Sequence, residues 1–429
     1  MTTMQIRSTT GGIPAKGIVG TVCDTTVWHA FGVCGLFAAA TLNLISLNAD
    51  KSTVELDAQV IVKLLAVAAA GLYGMLGFLT DHRVREIAFS FPVNCFMAII
   101  GLYFLVSPFG LSPGTSLVSS ISILAVFLMT LTALVNLGQD KTIRIIFLST
   151  STFILGSWVA YVLFPEIGVF AEPVGDGEIK MRMGGLAHPN TLGQCAAFCI
   201  LTGTYIYYSS KQRSRLILTM ILCAVLALLF SLSRSSILAT VLALAVGYRT
   251  SLFKGRRVVH AAALFVSLAI VAIMAASTQY EFGTLLNEKA QQLSKSGDSE
   301  EIFSATGRGE IWAETIRLIK EKPVFGYGPA TSKYLLEDYS LYTHNFFLNI
   351  GLSCGVGGII LALLMTLARV RKLFLRSNPV ADGLVAFILI NGIFENVIFG
   401  NISGLPTICW VIGLTWFHVA AKQGGDLHA

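Results

Sequence analysis

The sequence predicts an all-α fold: a polytopic integral membrane protein of about twelve transmembrane helices with a mainly helical periplasmic cap. Two observations support this prediction. Of the 429 residues, 54% are apolar and only 13% are charged, whereas about a quarter of an ordinary soluble domain is charged. Stretches such as 216–230 and 264–276 are also apolar on every face. A β-barrel would need strands of alternating polarity, so helices are favoured and a water-soluble fold is excluded.

About twelve apolar runs are long enough to serve as spans, at about 20 residues for each crossing. They lie at 27–48, 60–80, 87–107, 115–138, 143–164, 191–209, 215–232, 235–251, 258–277, 344–368, 380–399 and 403–421. The segment before Trp28 is polar and glycine-rich, so we expect no cleavable signal. Since we find no internal repeat, residues 1–429 are predicted to form a single membrane domain.

The basic residues gather in alternate connecting segments, near 83–85, 141–144, 211–215, 249–257 and 369–376. By the positive-inside rule these segments face the cytoplasm, together with both termini. The net charge of +6 is therefore a signal of topology, and we expect no nucleic-acid partner. Two external segments are long: 165–190 is predicted to be a short periplasmic loop, and 278–343 a large loop that caps a site.

The large loop contains a helical pattern that begins near Thr306 and ends before Pro323. One stripe of this helix carries its carboxylates, while Arg308 and Trp312 lie on the opposite face. An arginine in that position must bind an anion from elsewhere, such as a phosphate, or extend to water. Both interpretations of Arg308 stay open at this point.

His344 and Asn345 stand where the next predicted span begins, after a glycine-containing segment typical of a tight turn. Histidine is suited to act as a general base near neutral pH, or to donate a hydrogen bond to a phosphate. The alternative is a structural role in capping the helix that follows.

Arg234 occupies an unusual position for a charged residue. The stretch 214–248 is too long for one span and has basic clusters at both ends, so the chain must reverse near 231–236. Each arm of about 17 residues is about 26 Å long, slightly shorter than a bilayer core of about 30 Å. Arg234 is therefore expected just beneath the external surface, at the depth of lipid phosphates. An unpaired arginine is costly there, which favours phosphate binding over extension to water.

Three further residues are candidates. Arg182 is a possible third cation, and His188 a second titratable group, although His188-Pro189 is also typical of an ordinary helix start. Glu395 lies within an apolar run. It is either a catalytic or relay group or a contact between helices. Because no acidic cluster suits Mg²⁺ or Ca²⁺, this set of cations predicts an anionic lipid headgroup bound without a metal or other cofactor.

Short motifs between residues 182 and 360 resemble the O-antigen ligase and polysaccharide polymerase superfamily. In chain order, the motifs are Arg182-x-Gly-Gly with His188-Pro-Asn, Ser-Arg234-Ser, Thr306-Gly-Arg308-x-x-x-Trp312, Pro323-x-x-Gly326-x-Gly328 and His344-Asn345-x-x-Leu348. The twelve-span layout with a large late loop is also similar. The first 180 residues match the family only in hydropathy.

The resemblance implies a bacterial inner-membrane glycosyltransferase whose site faces the periplasm. It would transfer a glycan from undecaprenyl diphosphate to an acceptor hydroxyl without a metal or nucleotide. Arg234 and Arg308 would neutralise the leaving diphosphate, and His344 would deprotonate or orient the acceptor, making these three the catalytic set. Substrate-binding residues would lie around them: Arg182, His188, Trp312 and Asn345.

The acceptor separates the two enzymes of this superfamily. A polymerase uses a second lipid-linked repeat unit, often with a chain-length regulator as partner, and a ligase uses lipid A core. The His188-Pro-Asn and Thr306-Gly-Arg308 motifs favour the polymerase. A transporter or flippase of lipid-linked glycans is the alternative from another class. Such proteins commonly carry midplane charges and internal repeats, and we find no internal repeat here. A non-catalytic scaffold would not need Arg234.

Overall fold

The computed structural model describes residues 25–46, 58–173, 179–210, 214–252, 308–337, 340–399 and 404–425 and is mostly helical there. The first helices are α1 (Thr25–Leu42), α2 (Ala58–Thr80), α3 (His82–Ala88), α4 (Val93–Val106), α5 (Pro113–Leu137), α6 (Gln139–Leu163), α7 (Pro165–Gly168) and α8 (Pro189–Ser209). The others are α9 (Arg215–Phe230), α10 (Arg234–Gly247), α11 (Arg249–Leu252), α12 (Arg308–Glu321), α13 (Ser332–Leu335), α14 (Phe346–Leu375), α15 (Pro379–Asn391) and α16 (Leu405–Gly425).

The apolar helices identify a multi-pass membrane protein. Within the described ranges, 4 helices are long and apolar enough to cross a membrane, or up to 5 if a bent pair counts as one span. These are α2, α5, α6 and α14, with α3 and α4 as the bent pair, and five shorter apolar helices accompany them. The predicted span at 258–277 and the loop residues 278–307 lie outside the described residues, so the count of twelve spans stays a prediction.

Three segments differ from their predicted form. The run 87–107 is bent by 83° between α3 and α4, because Pro92 at the start of α4 cannot continue a helix. The run 380–399 is helical only to Asn391. The segment 165–190, predicted as a loop in an all-α fold, contains strands β1 (Val169–Pro173) and β2 (Ile179–Met183), which pair antiparallel.

The reversal predicted near 231–236 is present. Helix α9 ends at Phe230 and α10 begins at Arg234, with 16 and 14 residues respectively. Between them, Leu232 takes a left-handed backbone with φ of 51°. A Cβ at Gly193 of α8 would lie 2.8 Å from the Ser233 Cβ. The absence of a side chain at Gly193 therefore lets the reversal pack directly on α8, which is how small residues act in membrane helices.

The structure brings together segments predicted to lie on the cytoplasmic side. Arg249 and Arg369 each bind the buried carboxylate of Asp382 at 2.8 Å, and Lys372 Nζ lies 2.8 Å from His418 Nε2. Residues predicted to be external form a separate cluster, described below. This grouping agrees with the predicted topology, while the side of the membrane that each cluster faces stays a prediction.

The turn after α12 fits into a break in α14. Cys354 and Gly355 have non-helical backbone angles, which leaves carbonyls of the preceding turn without their usual partners. The backbone N–H of Tyr327 donates to Leu352 O at 2.8 Å, and that of Gly328 donates to Ser353 O at 3.0 Å. The turn therefore completes the hydrogen bonding of α14 and joins the predicted cap to this helix.

Replacing Gly355 by alanine is expected to destabilise the protein by about 1–3 kcal/mol, the usual cost of a disfavoured backbone region. Gly355 has φ of 75°, and an added Cβ would lie 2.5 Å from Val324 O. The matched control is Gly357→Ala, since a Cβ at that position meets nothing within 4 Å. A lowered melting temperature for the first variant alone is the expected result, and equal melting temperatures would contradict this account of the break.

Candidate functional site

Glu395 joins three separate parts of the chain. Its side chain lies just beyond the end of α15 and is only 10% exposed. Glu395 Oε1 accepts from Arg308 Nη2 at 2.9 Å and from Asn190 Nδ2 at 3.0 Å, while Oε2 lies 3.2 Å from His344 Nδ1. The carboxylate thus connects the predicted cap helix, the start of α8 and His344, two residues before α14.

The loop that carries Glu395 is fixed against the start of α14. The backbone N–H of Phe346 donates to Gly392 O at 2.8 Å. Asn345 caps α14, since its Oδ1 accepts from the Leu348 N–H at 3.0 Å, and its Nδ2 donates to Ile393 O at 3.2 Å. Asn345, a predicted substrate-binding residue, therefore uses both ends of its amide within the protein, which gives it a clear structural role.

His344 lies between Glu395 and Ser340. Its Nε2 is 3.0 Å from Ser340 Oγ, and its backbone is left-handed with φ of 48°. An ionised carboxylate only accepts hydrogen bonds, so we assign the ring proton to Nδ1, which faces Glu395. In the neutral ring, Nε2 then carries the lone pair and faces a hydroxyl. This hydroxyl–imidazole–carboxylate order suits proton abstraction from an alcohol.

The two faces of α12 are as predicted. Arg317 pairs with Glu314 at 2.6 Å and also with Glu321, both on the outer stripe. Arg308 faces away from these carboxylates, and its anion is Glu395. Trp312 lies one turn along the inner face, and within the described part of the chain its Nε1 is buried without a hydrogen-bond partner. An unpaired indole N–H beside an arginine is a candidate contact for a ligand oxygen.

Arg182 is engaged by protein groups on all sides and is only 8% exposed. Its guanidinium donates to Glu172 Oε2 at 2.6 Å, to Asn190 Oδ1 at 2.9 Å and to Ser231 O at 2.9 Å. Arg182 therefore ties the β-hairpin to the start of α8 and to the reversal that carries Arg234. Its geometry is that of a residue that positions others.

Arg234 is exposed at the first turn of α10. Partial desolvation lowers the pKa of Lys180 on β2, and the nearby cations of Arg234 and Arg182 lower it further, with Glu172 acting in the opposite direction. Three cations therefore lie close together beside the reversal, where the amino-terminal end of α10 adds partial positive charge. Such a group attracts an anion with several oxygens.

His188 begins α8. Its Nδ1 accepts from the Asn190 backbone N–H at 3.2 Å, and its ring packs edge-on against Phe170 at 4.8 Å. The geometry of His188 is therefore that of a residue at an ordinary helix start. Asn190 in turn links Arg182 to Glu395, so a continuous path of hydrogen bonds runs from the reversal near Arg234 to His344 and Arg308.

The structure identifies contributors that the sequence did not. The partners of Glu395 were not predicted, although the polar cluster Asn391, Glu395 and Asn396 in an apolar segment was an available signal. Asn190 belonged to a recognised motif without an assigned role. Ser340 had no sequence signal. Among the described residues, no group of three or more His, Cys, Asp or Glu side chains is arranged to hold a metal ion.

Comparison with known families gives a match over the segment that contains Arg234, Arg308, Trp312, His344 and Asn345, while Arg182, His188, Asn190 and Glu395 lie outside it. Residues 195–363 match the family model described as O-antigen ligase. This match confirms the resemblance to the O-antigen ligase and polymerase superfamily over that segment and supports processing of glycans at a membrane. No curated protein matches the chain.

Proposed function

We propose, starting from the O-antigen ligase match, that this protein is an inner-membrane glycosyltransferase acting at the periplasmic face on undecaprenyl-diphosphate-linked glycans. The observation that carries the proposal is the meeting of Arg308 and His344 at the carboxylate of Glu395. Arg308 is a fixed cation and His344 is a base. Displacement of a diphosphate by a hydroxyl requires these two kinds of group. Segment 278–343 would form the cap over this site. Segment 165–190 would border the site on another side.

His344 would act on the acceptor. In the proposed step, an acceptor hydroxyl oxygen bonds to the anomeric carbon of the donor sugar, and its proton passes to His344 Nε2. Ser340 Oγ, 3.0 Å from that nitrogen, marks where the acceptor hydroxyl would stand. Glu395 holds the ring by Nδ1 and stabilises the imidazolium that forms, as the carboxylate does in other hydroxyl–histidine–carboxylate sites.

The arginines would act on the leaving group. As the bond from the anomeric carbon to the diphosphate breaks, its electron pair moves onto a diphosphate oxygen. Arg308 contacts Glu395 through Nη2, and its side chain remains 19% exposed, so part of the guanidinium can face an incoming oxyanion. Arg234, with Lys180 beside it, would hold the other phosphate, and the apolar surface between helices would hold the polyprenyl chain.

The remaining predicted residues would support this arrangement. Trp312 Nε1 would donate to a sugar or phosphate oxygen, since it is unpaired within the described residues. Arg182 and His188 would fix the reversal and the start of α8. Asn345 would hold the Glu395 loop. We propose no metal or other cofactor in the step, because the fixed cations occupy that role.

We favour a polymerase that joins repeat units over a ligase that transfers the finished glycan to lipid A core, on the motifs around His188 and Arg308. Deleting the gene separates the candidates. Loss of polymer with accumulation of single lipid-linked repeats identifies a polymerase. Long lipid-linked polymer that is not transferred identifies a ligase. A flippase would instead leave lipid-linked glycan on the cytoplasmic face, which would contradict both enzymes.

Complementation of the deletion strain tests the site. Arg234→Ala is expected to reduce glycan product at least about tenfold, because it removes a charged contact to a leaving phosphate. Arg371→Ala, which removes an exposed cation of α14 near the predicted cytoplasmic end, is the matched control and should retain full product. Product is measured on gels of extracted glycans with membrane protein levels equalised. Equal product from the two variants would remove Arg234 from the site.

A further inference from the structure

A cavity of about 440 Å³ opens between three helices, and none of its lining residues belongs to the site described above. Its lining comes from the carboxyl-terminal ends of α3, α14 and α16. All three ends are predicted to face the cytoplasm. The polar lining residues are mostly basic: Lys372, Arg376 and His418, with Glu86 and Ser90.

The basic groups converge on the cavity. Lys372 Nζ lies 2.8 Å from His418 Nε2, so a neutral imidazole accepts one of the three ammonium N–H donors and leaves two for a ligand. Arg376 follows directly after α14 and is exposed. Glu86 is the single acid in the lining and is exposed on α3. Two fixed cations against one acid give the cavity a net positive charge, which favours an anion.

The helix ends that carry these groups are held rigidly. Arg369, one turn before Lys372, is fully buried. It donates to Gly413 O of α16 at 2.7 Å and to Asp382 of α15 at 2.8 Å. This link fixes the position of Lys372 relative to His418. A pre-organised donor such as the Lys372 ammonium loses little entropy when it binds a ligand.

The other walls of the cavity are apolar, formed by Ile87, Leu375 and Phe417. Phe374 and Phe91, each next in sequence to a lining residue, are 86% and 57% exposed. Exposed phenylalanines near cations are typical of the boundary between the headgroups and the acyl chains of a bilayer. An apolar wall beside cations suits a ligand with a charged head and an apolar tail.

We propose that this cavity binds a phosphate group, with an anionic phospholipid of the cytoplasmic leaflet as the favoured source and free phosphate as the other. Lys372 and Arg376 would contact the phosphate oxygens, and His418 would orient Lys372. The lipid tail would run along Phe417 and Leu375. The site is separate from glycan transfer, and its test measures binding alone.

The full-length protein is purified and placed in nanodiscs that mix phosphatidylcholine and phosphatidylglycerol. Retention of phosphatidylglycerol is measured by native mass spectrometry, and inorganic phosphate is titrated separately. Lys372→Gln and Arg376→Gln are each expected to lower phosphatidylglycerol retention by about fivefold, the effect of one cation near an anionic surface. Arg371→Gln is the matched control, because it removes the same charge from an exposed neighbour of Lys372 that does not line the cavity.

The outcomes separate the sources. Loss of phosphatidylglycerol in the two cavity variants, with retention in the control, supports the lipid. Saturable phosphate binding that Lys372→Gln abolishes supports the same chemistry with a soluble source. Equal loss in all three variants, or no binding of either probe, overturns the proposal. Arg376→Gln keeps the test valid if Lys372→Gln fails to fold, since the Arg376 side chain is exposed.

Discussion

Replacing His344 by asparagine is expected to lower the rate of glycan transfer by about 10²- to 10⁴-fold, the usual contribution of a general base. Asparagine tolerates a left-handed backbone better than most residues, so the φ of 48° at this position can be kept while the imidazole is removed. The rate is measured with purified enzyme, a lipid-linked donor and an acceptor, with single-turnover conditions used to isolate the chemical step.

The control for this variant is His82→Asn, which changes an exposed histidine on α3 whose side chain is 72% accessible. Both proteins should show the same melting temperature and the same elution volume in detergent. If His344→Asn transfers glycan within a few-fold of the unmodified enzyme, His344 is not the base. The Ser340–His344–Glu395 alignment would then have a structural role only.

Replacing Arg308 by methionine is expected to lower transfer by about 10²- to 10³-fold, the effect of losing one donor to a developing oxyanion. The change also leaves the Glu395 carboxylate without its cation. An uncompensated buried charge is itself destabilising, so the single variant cannot separate catalysis from folding. The double variant Arg308→Met with Glu395→Gln removes both charges and restores neutrality.

Two results are expected from this pair. The double variant should regain a normal melting temperature and remain inactive, because it lacks both the guanidinium that would meet the proposed diphosphate and the carboxylate that holds the His344 ring. Arg317→Met, which removes an arginine from the outer face of the same helix at 56% exposure, should keep its activity. Transfer restored in the double variant would show that Arg308 serves only as the counter-ion of Glu395.

Local patterns predicted a useful part of this arrangement. The two faces of α12 follow from helical periodicity within a few turns, so Arg308 and Trp312 were correctly placed on the inner face. The reversal before Arg234 followed from chain length and from the basic residues at both ends. Both inferences depend only on residues that are close in sequence, and a single sequence contains that information.

Long-range contacts could not be predicted in the same way. The helix that precedes Glu395 ends at Asn391, where Gly392 O is taken by the N–H of Phe346, distant in sequence. The ion pair of Arg182 with Glu172 depends on the pairing of β1 with β2. Alternation along 179–183 was an available sign of β2, but nothing in that stretch identifies β1 as its partner.

The break in α14 has a consequence for how the protein is made. The Leu352 and Ser353 carbonyls receive their hydrogen bonds from Tyr327 and Gly328, which leave the ribosome before α14 does. A carbonyl without a partner costs several kcal/mol in hydrocarbon. The segment that completes α14 is therefore already synthesised when this helix partitions into the bilayer. A deletion between α12 and α14, or a tag placed there, should accordingly impair the insertion of α14 into the bilayer.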